Sequence, residues 1–210
     1  TLKNILCFGD SNTWGYAPGT GERYPGHVRW TGVLQSCLGD AYHVIEEGLN
    51  GRTTIHDEPL RPHRNGASLL PVLLESHSPL DLVIVMLGTN DLKACFGQSA
   101  LEISQGAKKI CQEVVECEFL SPGSTEILLI SPSHVDVLPA EDHQEFDGAM
   151  EKSRAFSAHY KEGADELGIH FFDAAQVVRT SALDGVHWDA DQHSVFGREL
   201  ADFVEEIWAV

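Results

Sequence analysis

The run Asn4-Ile5-Leu6-Cys7-Phe8-Gly9-Asp10-Ser11-Asn12-Thr13-Trp14-Gly15 decides how this chain is read. A short apolar stretch stops abruptly at Gly-Asp-Ser, and polar residues and glycine follow at once. The pattern describes a strand that breaks into a tight turn, with Ser11 presented at the strand's carboxyl end. In open parallel sheets that end is where ligands bind. Ser11 is a candidate nucleophile, provided that the rest of the chain supplies a base and an oxyanion hole.

Outward from this stretch, four more short apolar runs rich in β-branched and aromatic residues recur, at 42–46, 82–87, 126–130 and 169–172. With 4–8 they make five expected strands. Leu82-Val83-Ile84-Val85-Met86-Leu87 is continuously apolar, as a central parallel strand covered on both faces must be. Between the strands the pattern turns helical. Trp30, Val33, Leu34, Cys37 and Leu38 follow i, i+3, i+4, i+7, i+8 spacing. Ser99 and Glu102 form a capping box that opens a helix with Ile103, Ala107, Ile110, Cys111 and Val114 on its core face. A long helix is expected over much of 145–167, ending at Gly168. The last helix should bury Phe196, Leu200, Phe203, Val204 and Ile207, with Asp189 and Gln192 as its capping box. Strand and helix alternate, which predicts a three-layer α/β/α domain with right-handed crossovers. No repeat, low-complexity segment or long linker divides residues 1–210, so one domain is expected. The loops at 15–26, 56–66 and 131–140 all follow a strand and should gather at the carboxyl edge of the sheet.

Composition narrows the function. The 210 residues carry a formal net charge of −18, with 42% hydrophobic and 22% charged residues. No basic stripe is present to neutralise phosphates, which argues against nucleic acid and against anionic membrane surfaces. The five cysteines are odd in number, and none forms a C-x-x-C pair. Four of them fall on expected apolar faces or strands, where cysteine behaves as a small hydrophobe. That favours a reducing compartment over a disulfide framework or zinc. No apolar run approaches the ~20 residues that span a bilayer, and the first residues show no leader pattern. The expected location is the cytoplasm.

Nucleophilic catalysis needs an activated hydroxyl, an oriented base, and donors aimed at the developing oxyanion. Asp184-Gly185-Val186-His187 offers an acid three residues ahead of a base on a tight turn. Gly88-Thr89-Asn90-Asp91 ends the central strand with an amide side chain, and Gly51 follows the second strand with an unobstructed N–H. Each element alone has a commonplace explanation: a helix cap for Ser11, an Asx-turn for Asn90, a turn glycine for Gly51, chance for Asp-x-x-His. Their joint placement beyond strand ends is what matters. No H-E-x-x-H and no Walker A run is present, and the scattered histidines have no metal-like spacing that the last helix cap does not explain. Neither metal nor cofactor is expected.

Gly9-Asp10-Ser11, Gly51, Gly88-x-Asn90-Asp91 and Asp184-x-x-His187 resemble the four blocks of the SGNH (GDSL-type) hydrolases, in the family's order and across the whole chain. Gly9–Gly15, 87–93 and Phe171-Phe172-Asp173-Ala174 look closest to the bacterial arylesterase/acyltransferase branch. The resemblance implies a flavodoxin-like five-stranded parallel sheet of order 2-1-3-4-5. It implies Ser11 as nucleophile, His187 as general base then acid, and Asp184 as its orienter. The oxyanion hole would comprise the N–H groups of Ser11 and Gly51 and the side chain of Asn90. Asp10, Asn12, Trp14, Thr89 and Val186 are then expected around the substrate pocket. Asn12 stands where the family name has Leu, a position that borders the acyl site. The bulk of Trp14 suggests a narrow pocket suited to short acyl chains.

The expected activity is hydrolysis of short-chain acyl esters, with acyl transfer to alcohols as an accompanying possibility. The alternatives are a carbohydrate acetylesterase, a thioesterase or lysophospholipase, or an inactive binding protein on the same fold. The expected partner is a small ester, and the branch's tendency to assemble leaves a homo-oligomer open. Residues 131–147, acidic and proline-containing, are read as a subunit edge, a roof over the pocket or a plain surface loop.

Overall fold

The computed structural model describes residues 1–120 and 123–209. One parallel sheet runs β1 (Lys3–Gly9), β2 (Tyr42–Gly48), β3 (Leu82–Met86), β4 (Glu126–Ser131) and β5 (His170–Asp173). Its spatial order is β2-β1-β3-β4-β5, as the resemblance implied. All five expected strands are present, with ends that differ by one or two residues. The order reverses beside β1, so β1 lies between β2 and β3 and delivers its turn to the switch point of the sheet.

Period-two alternation divides the core. Ile5, Cys7, Leu82, Ile84 and Met86 face one layer, made by α2 (Trp30–Leu38) and α7 (Ala190–Ile207). Leu6, Phe8, Val83 and Val85 face the other, made by α3 (Gly66–His77), α4 (Ala100–Val115) and α6 (Phe156–Leu167). Both faces are covered, so these strands carry no polar alternation. The Ser99 box opens α4 as expected: Glu102 N donates to Ser99 Oγ at 3.2 Å, and Ser99 N to Glu102 Oε2 at 2.8 Å.

Three local expectations are corrected. The helix expected over 145–167 is two helices, α5 (Ala149–Arg154) and α6, separated at Ala155. The Ser153 hydroxyl donates to Met150 O at 3.1 Å and accepts from Val135 N at 3.0 Å, competing with the helical ladder at the break. Asp189 does occupy the N-cap of α7, but its side chain caps nothing. Gln192 turns away instead and accepts from Arg179 N at 2.9 Å. Cys37 is exposed rather than on the core face of α2, where Trp30, Thr31, Leu34 and Leu38 are the buried residues. No helix among the described residues is long and apolar enough to cross a membrane.

Candidate active site

The turn after β1 builds the first part of the site. The Asp10 side chain accepts from Asn12 N at 3.0 Å, and Asp10 O accepts from Thr13 N and Trp14 N at 3.1 and 2.8 Å. These bonds close the short helix α1 (Ser11–Trp14) and set Ser11 at its first position. Ser11 is buried, with 6% of its surface exposed.

The loop before α7 brings up the base. His187 Nε2 lies 2.9 Å from Ser11 Oγ, and His187 Nδ1 lies 2.7 Å from Asp184 Oδ2. The other Asp184 oxygen accepts from Val186 N at 2.9 Å and His187 N at 2.8 Å, so the carboxylate fixes both the turn and the ring. Nδ1 carries its proton toward Asp184, which leaves Nε2 as acceptor for the serine hydroxyl. Gly185, at φ 71°, lets this turn pass under residues 136–137: a Cβ there would stand 2.5 Å from Val137 O. Asp136 N donates to Gly185 O at 2.8 Å. Part of the 131–147 segment therefore braces the turn from outside.

Donors converge from β2 and β3. Asn90 Nδ2 donates to Arg52 O at 3.0 Å, which fixes the amide orientation and leaves one Nδ2 hydrogen to spare. Gly51 is buried beside it in sequence, one residue before Arg52. Arg52 joins the strand ends: its guanidinium donates to Gly9 O at 3.0 Å and to Glu47 O, and lies 4.3 Å from the Phe8 ring centroid. Asp91, fully buried, accepts from Thr54 N and Thr54 Oγ1 and ties the two loops together. Gly88 has φ 132°, and a Cβ there would meet Tyr160 Oη at 2.0 Å. That hydroxyl instead donates to Leu87 O at 2.7 Å.

The electrostatics follow from burial. Burial pushes the Asp10 carboxyl up to about 6, against the Asn12 N–H and the charges of His187 and Arg52. Burial also raises Asp91, opposed by its bonds from Thr54. At Asp184 burial acts upward too, but the hydrogen bond and charge of His187 and the two backbone N–H groups outweigh it, and the net shift is downward. A carboxylate held ionised beside the ring is what a triad orienter requires. Arg52 is lowered to about 10 by burial.

Each sequence-predicted residue has a clear place. Ser11, Asp184 and His187 are brought into one hydrogen-bonded chain, and Gly51 and Asn90 lie on the loops after β2 and β3. The pocket set divides. Asp10, 2% exposed, and Asn12, 4% exposed, are buried, and their side chains bond to backbone groups. Asn12 Nδ2 donates to Val186 O at 3.2 Å, and Asn12 Oδ1 accepts from Trp188 N at 3.2 Å. Thr89 and Val186 are nearly buried at the crevice. Trp14 is half-buried, with the Arg23 guanidinium 5.0 Å from its ring centroid.

Tyr16 was not singled out by sequence. Its ring stacks on His187 with centroids 4.1 Å apart and a 30° interplanar angle. The only sequence signal was an aromatic directly after the α1 turn. His193 of the metal-like stretch is buried in the core, where its Nδ1 accepts from Trp30 N at 3.1 Å and burial lowers it to about 4. Among the described residues no group of His, Cys, Asp and Glu is placed to hold a metal ion.

The chain matches the GDSL-like lipase/acylhydrolase family over residues 7–195. Est24, a carbohydrate acetylesterase from Sinorhizobium meliloti, is 39% identical, with TM-score 0.94 over 98% of this chain and 100% of that one. The native M. smegmatis aryl esterase is also 39% identical, with TM-score 0.93 over 98% and 99% of the two chains. A second S. meliloti structure, of a carbohydrate acetylesterase family member, is 38% identical with TM-score 0.95 over the whole of both chains. No curated protein matches the chain. Family model, fold and whole-length structural similarity agree: the chain belongs to the GDSL-like lipase/acylhydrolase family and is a carboxylic ester hydrolase.

Proposed function

We propose that this protein hydrolyses short-chain acyl esters through an acyl-enzyme on Ser11. The observation that carries the reading is the hydrogen-bonded chain from Ser11 Oγ through His187 to Asp184, at 2.9 and 2.7 Å. As Oγ attacks the ester carbonyl, Nε2 takes its proton and Asp184 balances the imidazolium. The oxyanion forms against the N–H groups of Ser11 and Gly51 and the spare Nδ2 hydrogen of Asn90. His187 returns the proton to the departing alkoxide. Water then repeats the sequence on the acyl-enzyme, or an alcohol does so and is acylated.

Tyr16 over one face of His187 and Trp14 beside the nucleophile turn narrow the space for an acyl chain, which favours acetyl over long chains. The decisive test is turnover of p-nitrophenyl acetate, with Ser11→Ala as control. Loss of turnover and of fluorophosphonate labelling supports the reading, and retained turnover overturns it. Faster hydrolysis of a palmitoyl than of an acetyl ester overturns the chain-length part.

A second reading, a carbohydrate acetylesterase, is favoured by Est24 at 39% identity. Release of acetate from acetylated xylose at a kcat/KM above that for phenyl acetate would establish it. The five cysteines are all unpaired, which supports a reducing compartment such as the cytoplasm.

A further inference from the structure

The loop at 56–66 carries two arginines, Arg61 and Arg64, beside two acids, Asp57 and Glu58. In a chain of net charge −18, Arg61 and Arg64 converge on Gly51, the proposed oxyanion donor. Arg61 Nη1 lies 2.7 Å, and Arg64 Nε 3.5 Å, from the point where a Cβ on Gly51 would stand. Both guanidinium groups thus occupy the space on the side-chain side of the Gly51 Cα.

The loop that holds them is tied down. Arg64 Nε donates to Asn50 O at 2.8 Å, Thr53 N donates to Arg64 O at 2.9 Å, and Asn65 Nδ2 donates to Ile55 O at 3.1 Å. His63 within it has φ 63°, a conformation that only a well-determined loop maintains in a non-glycine residue.

The two arginines differ in what they are bonded to. Arg64 is committed to backbone carbonyls of Asn50 and Pro62. Among the described residues the Arg61 guanidinium has no hydrogen-bond or ion-pair partner. The nearest acid in the loop, Glu58, is engaged elsewhere, by Lys93 Nζ at 2.9 Å. Burial and the charge of Arg61 lower Arg64, and the charge of Glu58 opposes them. Glu58 offsets part of the charge at Arg64, and the Arg61 guanidinium is left for an incoming anion to pair with.

Asp142 is raised by burial and by the charges of Glu141, Glu145 and Asp184, against His143. Glu145 is itself paired with Lys93 Nζ at 3.2 Å, the ammonium that also holds Glu58. An ester with one anionic end meets a free guanidinium beside Gly51, which favours one direction across Ser11.

We infer that the site selects esters bearing a carboxylate, seated against Arg61 on the Gly51 side of the crevice. The inference rests on Ser11 as nucleophile, and it names the substrate class of that same site. The carboxylate sits on the leaving group or on the acyl group, and two substrate pairs separate these cases. One pair is 4-acetoxybenzoate and its methyl ester. The other is mono-4-nitrophenyl glutarate and its methyl ester, corrected for uncatalysed hydrolysis.

The readout is the ratio of kcat/KM for the charged over the neutral member of each pair, with active sites counted by fluorophosphonate labelling. The wild-type ratio should exceed one in at least one pair. Arg61→Gln should lower that ratio about 5-fold, the size of an exposed charge pair near 1 kcal/mol, and Arg61→Glu should lower it further. Ratios that stay within twofold in both pairs and both variants overturn the inference. In that event Ser11-dependent turnover of the neutral methyl esters leaves the esterase reading standing. Turnover that survives Ser11→Ala defeats that reading instead.

Discussion

The side-chain amide of Asn12 donates to Val186 O at 3.2 Å, and its carbonyl oxygen accepts from Trp188 N at 3.2 Å. One side chain, adjacent to Ser11, thus grips the backbone on both sides of His187. The Ser11–His187 distance is set by this clamp as much as by the hydrogen bond itself. Asn12→Leu removes both bonds while keeping the number and branching of the side-chain heavy atoms, at a cost of about 1 kcal/mol each. We expect kcat to fall ~10- to 100-fold with KM within about threefold, because misplacement of this order is costly in a bimolecular site. Asn12→Asp retains the acceptor and should recover part of the loss. Steady-state kinetics normalised to labelled sites check this, and unchanged kcat in Asn12→Leu refutes the clamp.

Asn90→Ala should lower kcat by ~10²–10³ with a small change in KM, since an oxyanion donor acts mainly in the transition state. The same change removes the bond to Arg52 O. Circular dichroism and melting curves should therefore accompany the kinetics.

Asp184→Asn keeps an acceptor for the N–H groups of Val186 and His187 but cannot hold the imidazolium. A fall in kcat of about 10⁴ is expected at neutral pH, of the size known for a triad acid replaced by its amide. The check is the pH–rate profile of the variant against wild type.

Asp10 makes the pH dependence of stability testable. Its folded pKa, about 6, lies above the ordinary 3.8, so between these values the folded state binds more protons than the unfolded state. The contribution of Asp10 to stability is therefore present at pH 4 and is lost as pH rises toward 7. Asp10→Asn should gain on wild type by about 2–3 kcal/mol over that window. Urea unfolding of both proteins at pH 4.5 and 7 measures it, and a difference that does not change with pH refutes it.

Gly185→Ala must place a Cβ 2.5 Å from Val137 O at φ 71°. The turn can only shift, carrying His187 with it. We expect a loss of about 1–3 kcal/mol in stability together with reduced kcat. Thermal melts and p-nitrophenyl acetate turnover report the two effects separately.

Much of this protein was written in local sequence. Five apolar runs ending at turn residues specify strands whatever surrounds them, and continuous apolarity at Leu82–Leu87 required cover on both faces. Ser11, Asp184 and His187 were legible because each sits in a short block whose residue types have few other uses together. The Pro71 within α3 obscured a helix whose Leu70 and Leu74 face the core. The break at Ala155 was invisible because Ser153 is bonded to Val135, 18 residues away.

The tertiary structure alone decided what the intervening residues do. Asn12 reads as turn filler or pocket wall until the chain returns 174 residues later to offer Val186 O. Tyr16 reads as a loop aromatic until His187 arrives beneath it. Arg61 reads as one charge in a polar loop until it comes to rest on Gly51. Strand and helix formation depend on neighbours along the chain, which a sequence displays. The clamp, the stack and the charged edge depend on side chains meeting across loops from different strands, and only the closed sheet fixes which ones meet.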